Sequence, residues 1–113
     1  MIFTERATVE VPGGVQYDMY GNEYPAPGKR IELVAPVVMQ QRTTMEEQGG
    51  EWVHRVSDDC ILISAPGWQL REITAHARVE VSGWTGVYEV EGDPVHYDNP
   101  VKHSEVHLKK VEG

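Results

Sequence analysis

Residues 79–113 read VEVSGWTGVYEVEGDPVHYDNPVKHSEVHLKKVEG, and they decide the fold of this chain. Apolar and polar residues alternate in three short runs, which begin at Val79, Val87 and Ser104. Clusters of Gly, Asp, Asn and Pro separate the runs. Alternation with a period of two, bounded by turn residues, is typical of antiparallel strands with one solvent-exposed face. We therefore expect a β-meander at this end of the chain.

The rest of the chain also predicts strands joined by turns. Alternating or apolar runs occupy residues 3–11, 31–39, 52–56 and 60–65. Pro36 has no N–H to donate to a neighbouring strand, so it predicts an edge strand or a bulge. Val34 and Val38 indicate partial cover of the outer face of the same strand. Ser57-Asp58-Asp59 predicts a turn. Residues 68–76 are compatible with a helical turn or an extended chain. The prediction is one all-β domain over residues 1–113, a small antiparallel β-barrel with long loops and at most one short helix.

Composition limits the classes of function. The net charge of −8 argues against a nucleic-acid grip, which needs a basic surface. An acidic wall would instead repel the phosphate backbone and let DNA slide past it. The single cysteine, Cys60, excludes an internal disulfide, and its apolar run predicts a buried position. With no signal-peptide pattern and no apolar run long enough for a membrane span, we expect a soluble intracellular product with no membrane contact.

No catalytic or metal-binding pattern stands out. His103 and His107 share a strand face, but a spacing of four residues separates them by roughly 13 Å. The serines lack a nucleophile-elbow context, and Cys60 has no basic neighbour that would lower its pKa. We therefore expect no enzyme activity, no metal and no cofactor.

Two polar stretches are candidates for contacts. Residues 40–51 lack an apolar period and predict a functional loop, with a possible helical turn over residues 44–48 and a flexible return at Gly49-Gly50. The turn-rich stretch 15–30 predicts a surface loop or short ribbon in which three tyrosines cluster. Aromatic residues in exposed turns are favoured contact anchors. The candidate interface residues are Tyr17, Tyr20, Tyr24, Trp84 and Tyr97; Trp84, at a hairpin tip, fits either a hot spot or a ring folded onto the barrel end.

The chain resembles the head-to-tail stopper proteins of long-tailed bacteriophages, notably those of actinobacteria. The resemblance rests on Gly86, then Tyr88-x-Val90-x-Gly92-x-Pro94, then Asn99-Pro100 and the closing Val111-Glu112-Gly113. It extends to the Asp18-x-Tyr20-Gly21-Asn22 segment and to Arg42-Thr43-Thr44-Met45-Glu46, where relatives tend to have Arg-x-Ser-x-Glu and Thr44 stands in place of the serine. His96-Tyr97-Asp98 stands where relatives often carry a tryptophan, and the loop 101–103 is shorter and lacks a glycine.

The resemblance implies a structural protein of the virion neck, assembled in the host cytoplasm. Copies would form a six- or twelve-fold ring between the adaptor protein beneath the portal and the tail terminator. The ring would complete the DNA channel and retain packaged DNA, without sequence recognition, until ejection. The candidate channel loop comprises Gln41, Arg42, Thr43, Thr44, Met45, Glu46 and Glu47. In the competing assignment this loop contacts the adaptor, and residues 17–27 line the channel.

Two alternatives stay open. The nearest is another ring protein of the neck or tail, such as a tail terminator. The other belongs to a different class, a small β-barrel that binds a ligand or an oligonucleotide. The latter would need a basic, aromatic strand face. Lys102, Lys109 and Lys110 are the available cations there, with Glu105 and Glu112 beside them.

Overall fold

A computed structural model of the chain describes residues 2–48 and 51–112, with side chains for all of these except residues 42–58 and 112. The described residues form an antiparallel all-β protein without a helix, so the predicted fold class is confirmed. The strands, in chain order, are β1 (Ala7–Val11), β2 (Val15–Tyr17), β3 (Glu23–Pro25), β4 (Lys29–Glu32), β5 (Val37–Gln48), β6 (Glu51–Ser64), β7 (Arg78–Val81), β8 (Val87–Val90), β9 (Val95–Tyr97) and β10 (His103–Glu112).

One large sheet surrounds the core. Its strand order is β4-β1-β7-β8-β10-β6-β5, and β9 pairs with β10. The predicted meander is therefore present as β7, β8 and β10, with the short β9 as an addition that the sequence reading missed. β10 lies between β8 and β6 and pairs with both, with a register shift between Lys110 and Glu112 in its pairing with β8.

The sheet curls because its two end strands, β4 and β5, belong to one bent segment. β4 pairs with β1, whereas β5 pairs with β6. Residues 33–36 connect them, which places Pro36 at an irregularity, as its missing N–H requires. A single antiparallel bridge between Glu5 and Val37 then links the chain ahead of β1 to the start of β5. The sheet thus wraps round the core as a partly closed barrel.

The core is built from the inward-facing residues of these strands. Val9, Leu62 and Leu108 are fully buried, as the alternation predicts, and Cys60 is buried beside them. The loop between β6 and β7, residues 65–77, adds Leu70 and Ile73 to the same core. Burial of side chains of this size stabilises a domain by about 1.5–3 kcal/mol each. The inward row of the bent segment is also confirmed: Leu33, Ala35, Val37 and Met39 are buried and Ile31 packs against them.

The molecule is longer than a compact domain of this length. Its radius of gyration is 17.1 Å and its principal extents are 63 × 39 × 25 Å, whereas a compact chain of similar length has a radius of about 13 Å. The β5–β6 hairpin explains the difference. Its pairing runs from Val37↔Ser64 out to Gln48↔Glu51, while β10 covers β6 only from Asp59 inwards. Residues 42–48 and 51–58 therefore form a two-stranded extension of the sheet, which we call the ribbon.

Several predictions from the sequence are wrong. Residues 41–48 and 51 belong to strands, neither to a loop nor to a helical turn, because cross-strand pairing with β6 fixes them; Gly49-Gly50 lies outside the described residues. Ser57-Asp58-Asp59 makes no turn, since β6 continues through it and accommodates it opposite a register shift between Gln41 and Thr43. Val34 is 73% exposed, so the partial cover expected over the outer face is absent at Val34, whereas Val38 on that face is half-buried.

Candidate functional site

The β2–β3 hairpin stands apart from the barrel. β2 and β3 pair only with each other, as a separate two-stranded sheet, within the described pairings. Every residue of both strands is exposed. The exposed side chains include large apolar and aromatic groups, with Tyr20 82% and Met19 87% exposed. The full set is Val15, Tyr17, Met19, Tyr20 and Tyr24. A concentration of exposed apolar groups in one short element is typical of contact surfaces in soluble proteins.

The tip of this hairpin is held by Asp18. One carboxylate oxygen, Oδ1, accepts hydrogen bonds from the backbone N–H of Tyr20 at 2.8 Å and of Asn22 at 2.9 Å. The backbone N–H of Asp18 donates to the Asn22 carbonyl at 3.0 Å. The Asn22 backbone bond is the main cause that lowers the pKa of Asp18 from its ordinary value. Because the turn is fixed, Met19 and Tyr20 are presented in one geometry, which reduces the entropy lost on binding.

The base of the hairpin depends on two glycines. A Cβ on Gly13 would lie 2.2 Å from the Pro27 carbonyl oxygen, and a Cβ on Gly28 would lie 2.7 Å from the Val11 oxygen. Below this crossing the Ala26 N–H donates to the Gly14 carbonyl at 3.0 Å. Only glycine lets the two chains approach this closely. The hairpin therefore leaves the barrel in a defined direction.

The charges of the hairpin are all negative. Residues 12–28 contain Asp18 and Glu23 and no lysine or arginine. Tyr17 donates its hydroxyl hydrogen to Glu23 at 3.2 Å, so that ring is oriented across the two strands. Tyr17, Tyr20 and Tyr24 all belong to this hairpin and are exposed. Tyr24 pairs with Gln16 and Tyr17 pairs with Glu23, so the alternation of side chains places Tyr17 and Tyr24 on opposite faces of the two strands. That the three form one contact surface stays a prediction.

Trp84 lies in a different place, on the end of the barrel. It is partly buried against the core and meets Tyr88 edge-on, with ring centroids 6.5 Å apart. Its indole N–H donates to Glu5 Oε2 at 3.1 Å, and the Met39 backbone N–H donates to the same oxygen at 3.0 Å. Of the two interpretations of Trp84, the structure shows the ring folded onto the barrel end. Glu5, which interrupts the apolar row of β1 in sequence, joins three parts of the chain here.

Tyr97 is held on a third surface. Its ring stacks on His103 across the β9–β10 pair, with centroids 4.8 Å apart and an interplanar angle of 10°. The Gln69 side-chain amide donates to the Tyr97 carbonyl at 3.0 Å, on the edge of β9. Tyr97 remains 38% exposed. The five candidate interface residues thus lie in three separate parts of the molecule: the β2–β3 hairpin, the barrel end at Trp84 and the β9 edge.

The candidate channel residues lie at the start of the ribbon. Gln41 is exposed near the barrel, and the backbone of residues 42–47 continues in β5 towards the outer end of the hairpin. The side chains of 42–47 lie outside the described residues. Among the described pairings, the ribbon has no third strand on either side.

A buried polar network near the β6–β7 loop was not predicted. Ser64 and Ser104 are 1% and 0% exposed. Ser104 Oγ accepts a hydrogen bond from the Leu70 N–H at 2.8 Å and lies 2.6 Å from His96 Nδ1. Burial lowers the pKa of His96, and the positive charge of Arg71 lowers it further. The available signal was that both serines continue inward-facing apolar rows, 60–62–64 and 104–106–108.

Ser104 and His96 do not form an accessible nucleophile. Ser104 Oγ is fully buried and already engaged by Leu70 and His96, so a substrate has no access to it. Among the described residues, no group of three or more His, Cys, Asp or Glu side chains is arranged to hold a metal ion. The same part of the chain contains no helix capable of crossing a membrane.

Comparison of the chain with protein-family models, with curated proteins and with solved structures finds no match.

Proposed function

We propose that this protein is a head-to-tail stopper, a connector subunit of the neck of a long-tailed bacteriophage. Copies of the chain form a ring between the adaptor and the tail terminator, and the ring completes the channel that holds packaged DNA. The sequence resemblance over residues 86–113 motivates this proposal. The observation that carries it is the presence of two hairpins that extend from the barrel and that, within the part of the chain that the structure describes, pair with no third strand.

Isolated two-stranded hairpins are only marginally stable in water. The β2–β3 hairpin compensates partly through the Asp18 turn, yet it leaves Met19 and Tyr20 almost fully exposed. The ribbon presents two strand edges whose N–H and C=O groups favour pairing with another chain. Both features are unfavourable in a monomer and favourable in an assembly, where a neighbour covers the apolar groups and the edges.

The electrostatics support a conduit. The chain carries a net charge of −8, and an acidic wall repels the phosphate backbone. In this proposal the ribbon reaches the channel, since it is the longest extension and its exposed Gln41 begins a polar sequence. The β2–β3 hairpin contacts a neighbouring protein through its aromatic tip. In the competing arrangement the two hairpins exchange these roles.

A shortened ribbon tests the proposal in the phage that encodes the chain. Thr43 pairs with Val56, so residues 44–55 can be replaced by Asn-Gly, which favours a tight two-residue hairpin turn. The barrel keeps all its pairings with this change. We expect heads that fill with DNA, lose it before tail attachment and give few infectious particles.

The matched control changes the other hairpin, with Met19→Ser and Tyr20→Ser. We expect this variant to fail earlier, because it does not join the neck, so the variant protein is missing from purified particles. Normal DNA retention and normal titre with the shortened ribbon would refute the channel assignment. Normal incorporation and titre for both variants would refute the stopper function itself.

A further inference from the structure

We infer that His96 and Ser104 form a proton-sensitive latch that fastens the β6–β7 loop, residues 65–77, over the core. This inference is independent of the proposed place in the neck. It rests on the buried hydrogen-bond network that joins β6, β9 and β10 to this loop.

The loop covers core groups without belonging to the sheet. Leu70 is 0% exposed and Ile73 is 2% exposed, so the loop closes one side of the core. Backbone bonds fasten its two ends: the Gly67 N–H donates to the Lys102 carbonyl at 2.7 Å, and the Val90 N–H donates to the Ala77 carbonyl at 2.9 Å. Between these ends its backbone bonds are local turns, such as the Ile73 N–H to the Leu70 carbonyl at 3.1 Å. The middle of the loop is therefore held in place by its packing and by side chains of neighbouring strands.

Two serines supply much of this attachment. Ser64 Oγ donates to the Trp68 carbonyl at 2.7 Å, and it accepts the Ser104 backbone N–H at 2.8 Å. Ser104 Oγ accepts the Leu70 N–H at 2.8 Å. One side of the network is thus the backbone of the loop, at Trp68 and Leu70. The other side is His96 on β9, whose Nδ1 lies 2.6 Å from Ser104 Oγ.

The hydrogen bonds of Ser104 depend on whether His96 Nδ1 carries a hydrogen. Because Ser104 Oγ accepts from Leu70, its own hydrogen is available for His96 Nδ1, and in the neutral tautomer whose Nδ1 carries no hydrogen this contact pairs both groups. Protonation of His96 places a second N–H against Ser104 Oγ. The hydroxyl hydrogen of Ser104 then has to turn away inside a fully buried site. An unsatisfied buried donor is unfavourable, so the protonated state favours release of Leu70 and of the loop.

The surrounding charges do not remove this conflict. Arg71 and Glu72 lie on the loop itself, and Asp98 follows β9. His103 and Glu105 flank Ser104 on β10 and bond to each other at 3.4 Å. Burial and Arg71 lower the pKa of His96, while Asp98 and Glu72 raise it, and the net direction is downwards. A lowered pKa means that the closed loop excludes the proton, and an open loop takes it up.

The sign of the pH dependence follows from this. Open His96 binds a proton at its ordinary pKa, whereas closed His96 does so only at lower pH. The latch is therefore fully effective above the ordinary histidine pKa of about 6.5. As the pH falls from this value towards the lower pKa of His96 in the closed loop, the latch weakens. Between these two pKa values, the equilibrium constant for closing the loop falls by about tenfold for each pH unit.

Amide hydrogen exchange on the full chain, measured by NMR at about pH 7.5 and about pH 5, tests the latch. Rates are divided by the intrinsic rate at each pH, and the native pKa of His96 is measured in the same samples. We expect the protection of the Leu70 amide to fall at low pH by the factor that this pKa sets. The Val79 amide, in the β1–β7–β8 part of the sheet, should be unchanged.

Two substitutions separate the latch from a general acid effect. His96→Gln keeps an oxygen that can accept from Ser104 but cannot titrate, so the pH dependence at Leu70 should disappear. His107→Gln removes an exposed histidine of β10 and should leave the dependence intact. Equal Leu70 protection at both pH values in the unsubstituted chain would overturn the inference. An equal loss of protection in the His96→Gln chain would overturn it as well.

Discussion

Glu5 offers the sharpest test of how this barrel is held together. The Met39 N–H and the Trp84 indole N–H both donate to one oxygen, Oε2, at 3.0 and 3.1 Å. Hydrogen bonds to a charged group contribute about 1.5–3 kcal/mol each, and the lower value applies to a half-buried carboxylate. Glu5→Ala should therefore lower the free energy of unfolding by about 3 kcal/mol. This is a large part of the 5–15 kcal/mol that is typical of domains.

Glu5→Gln separates the oxygen from the charge. The amide oxygen of glutamine can occupy the position of Oε2 and accept from both donors, so we expect a loss below about 1 kcal/mol. Glu10→Ala on β1 is the control, because Glu10 is exposed and its removal should change stability by less than about 0.5 kcal/mol. Urea titration followed by far-ultraviolet circular dichroism gives the three values.

Two results would refute the reasoning about Glu5. A Glu5→Ala chain as stable as the unsubstituted chain would mean that water replaces the carboxylate at this site. Equal destabilisation by Glu5→Gln and Glu5→Ala would mean that the negative charge matters and the position of the oxygen does not.

Two further predictions concern the β2–β3 hairpin. Met19→Ser with Tyr20→Ser should change the free energy of unfolding of the isolated chain by less than about 0.5 kcal/mol, because both side chains are exposed. The same double substitution should weaken self-association at least about tenfold in sedimentation equilibrium, since buried aromatic anchors contribute about 2 kcal/mol or more. Unchanged association would show that this surface does not join copies. Asp18 has a lowered pKa, so its turn bonds persist above its ordinary pKa of 3.8 and are lost as the pH falls below its native value. Hydrogen exchange of the Tyr20 and Asn22 amides, divided by the intrinsic rate at each pH, should therefore accelerate in strong acid. The Asp18→Asn chain should keep the turn without this pH dependence. The same acid response in Asp18→Asn would contradict the role of Asp18.

The sequence predicts those parts of the fold that carry a buried face. Val9, Leu62, Val79 and Leu108 lie on alternating rows, and all four are buried. Of the ribbon, residues 52–56 were predicted as a strand, whereas residues 42–48 were predicted as a loop because their polar sequence has no apolar period. The bulge at residues 57–59 was predicted as a turn for a related reason. Polar triplets mark both features, and only the partner strand distinguishes them.

The contacts of the candidate site depend on residues far apart in sequence. Glu5 binds groups 34 and 79 residues away, so its position ahead of β1 shows only an interruption of the apolar row. His96 meets Ser104 across the β9–β10 pair, and β9 was not predicted as a strand. The tyrosines of the β2–β3 hairpin were predicted as a group because they lie close together in the chain and turn residues surround them. Local signals are readable from sequence, whereas the partners supplied by folding are not.

The central claim is that this barrel and its two hairpins form part of the phage neck. Electron cryomicroscopy of the purified virion, at a resolution that allows this chain to be traced, tests it most directly. The account predicts a closed ring of copies between the adaptor and the tail terminator, with the β2–β3 hairpin against a neighbouring protein and the ribbon directed towards the channel. A neck density that this chain does not fit, or its location elsewhere in the particle, would contradict the account.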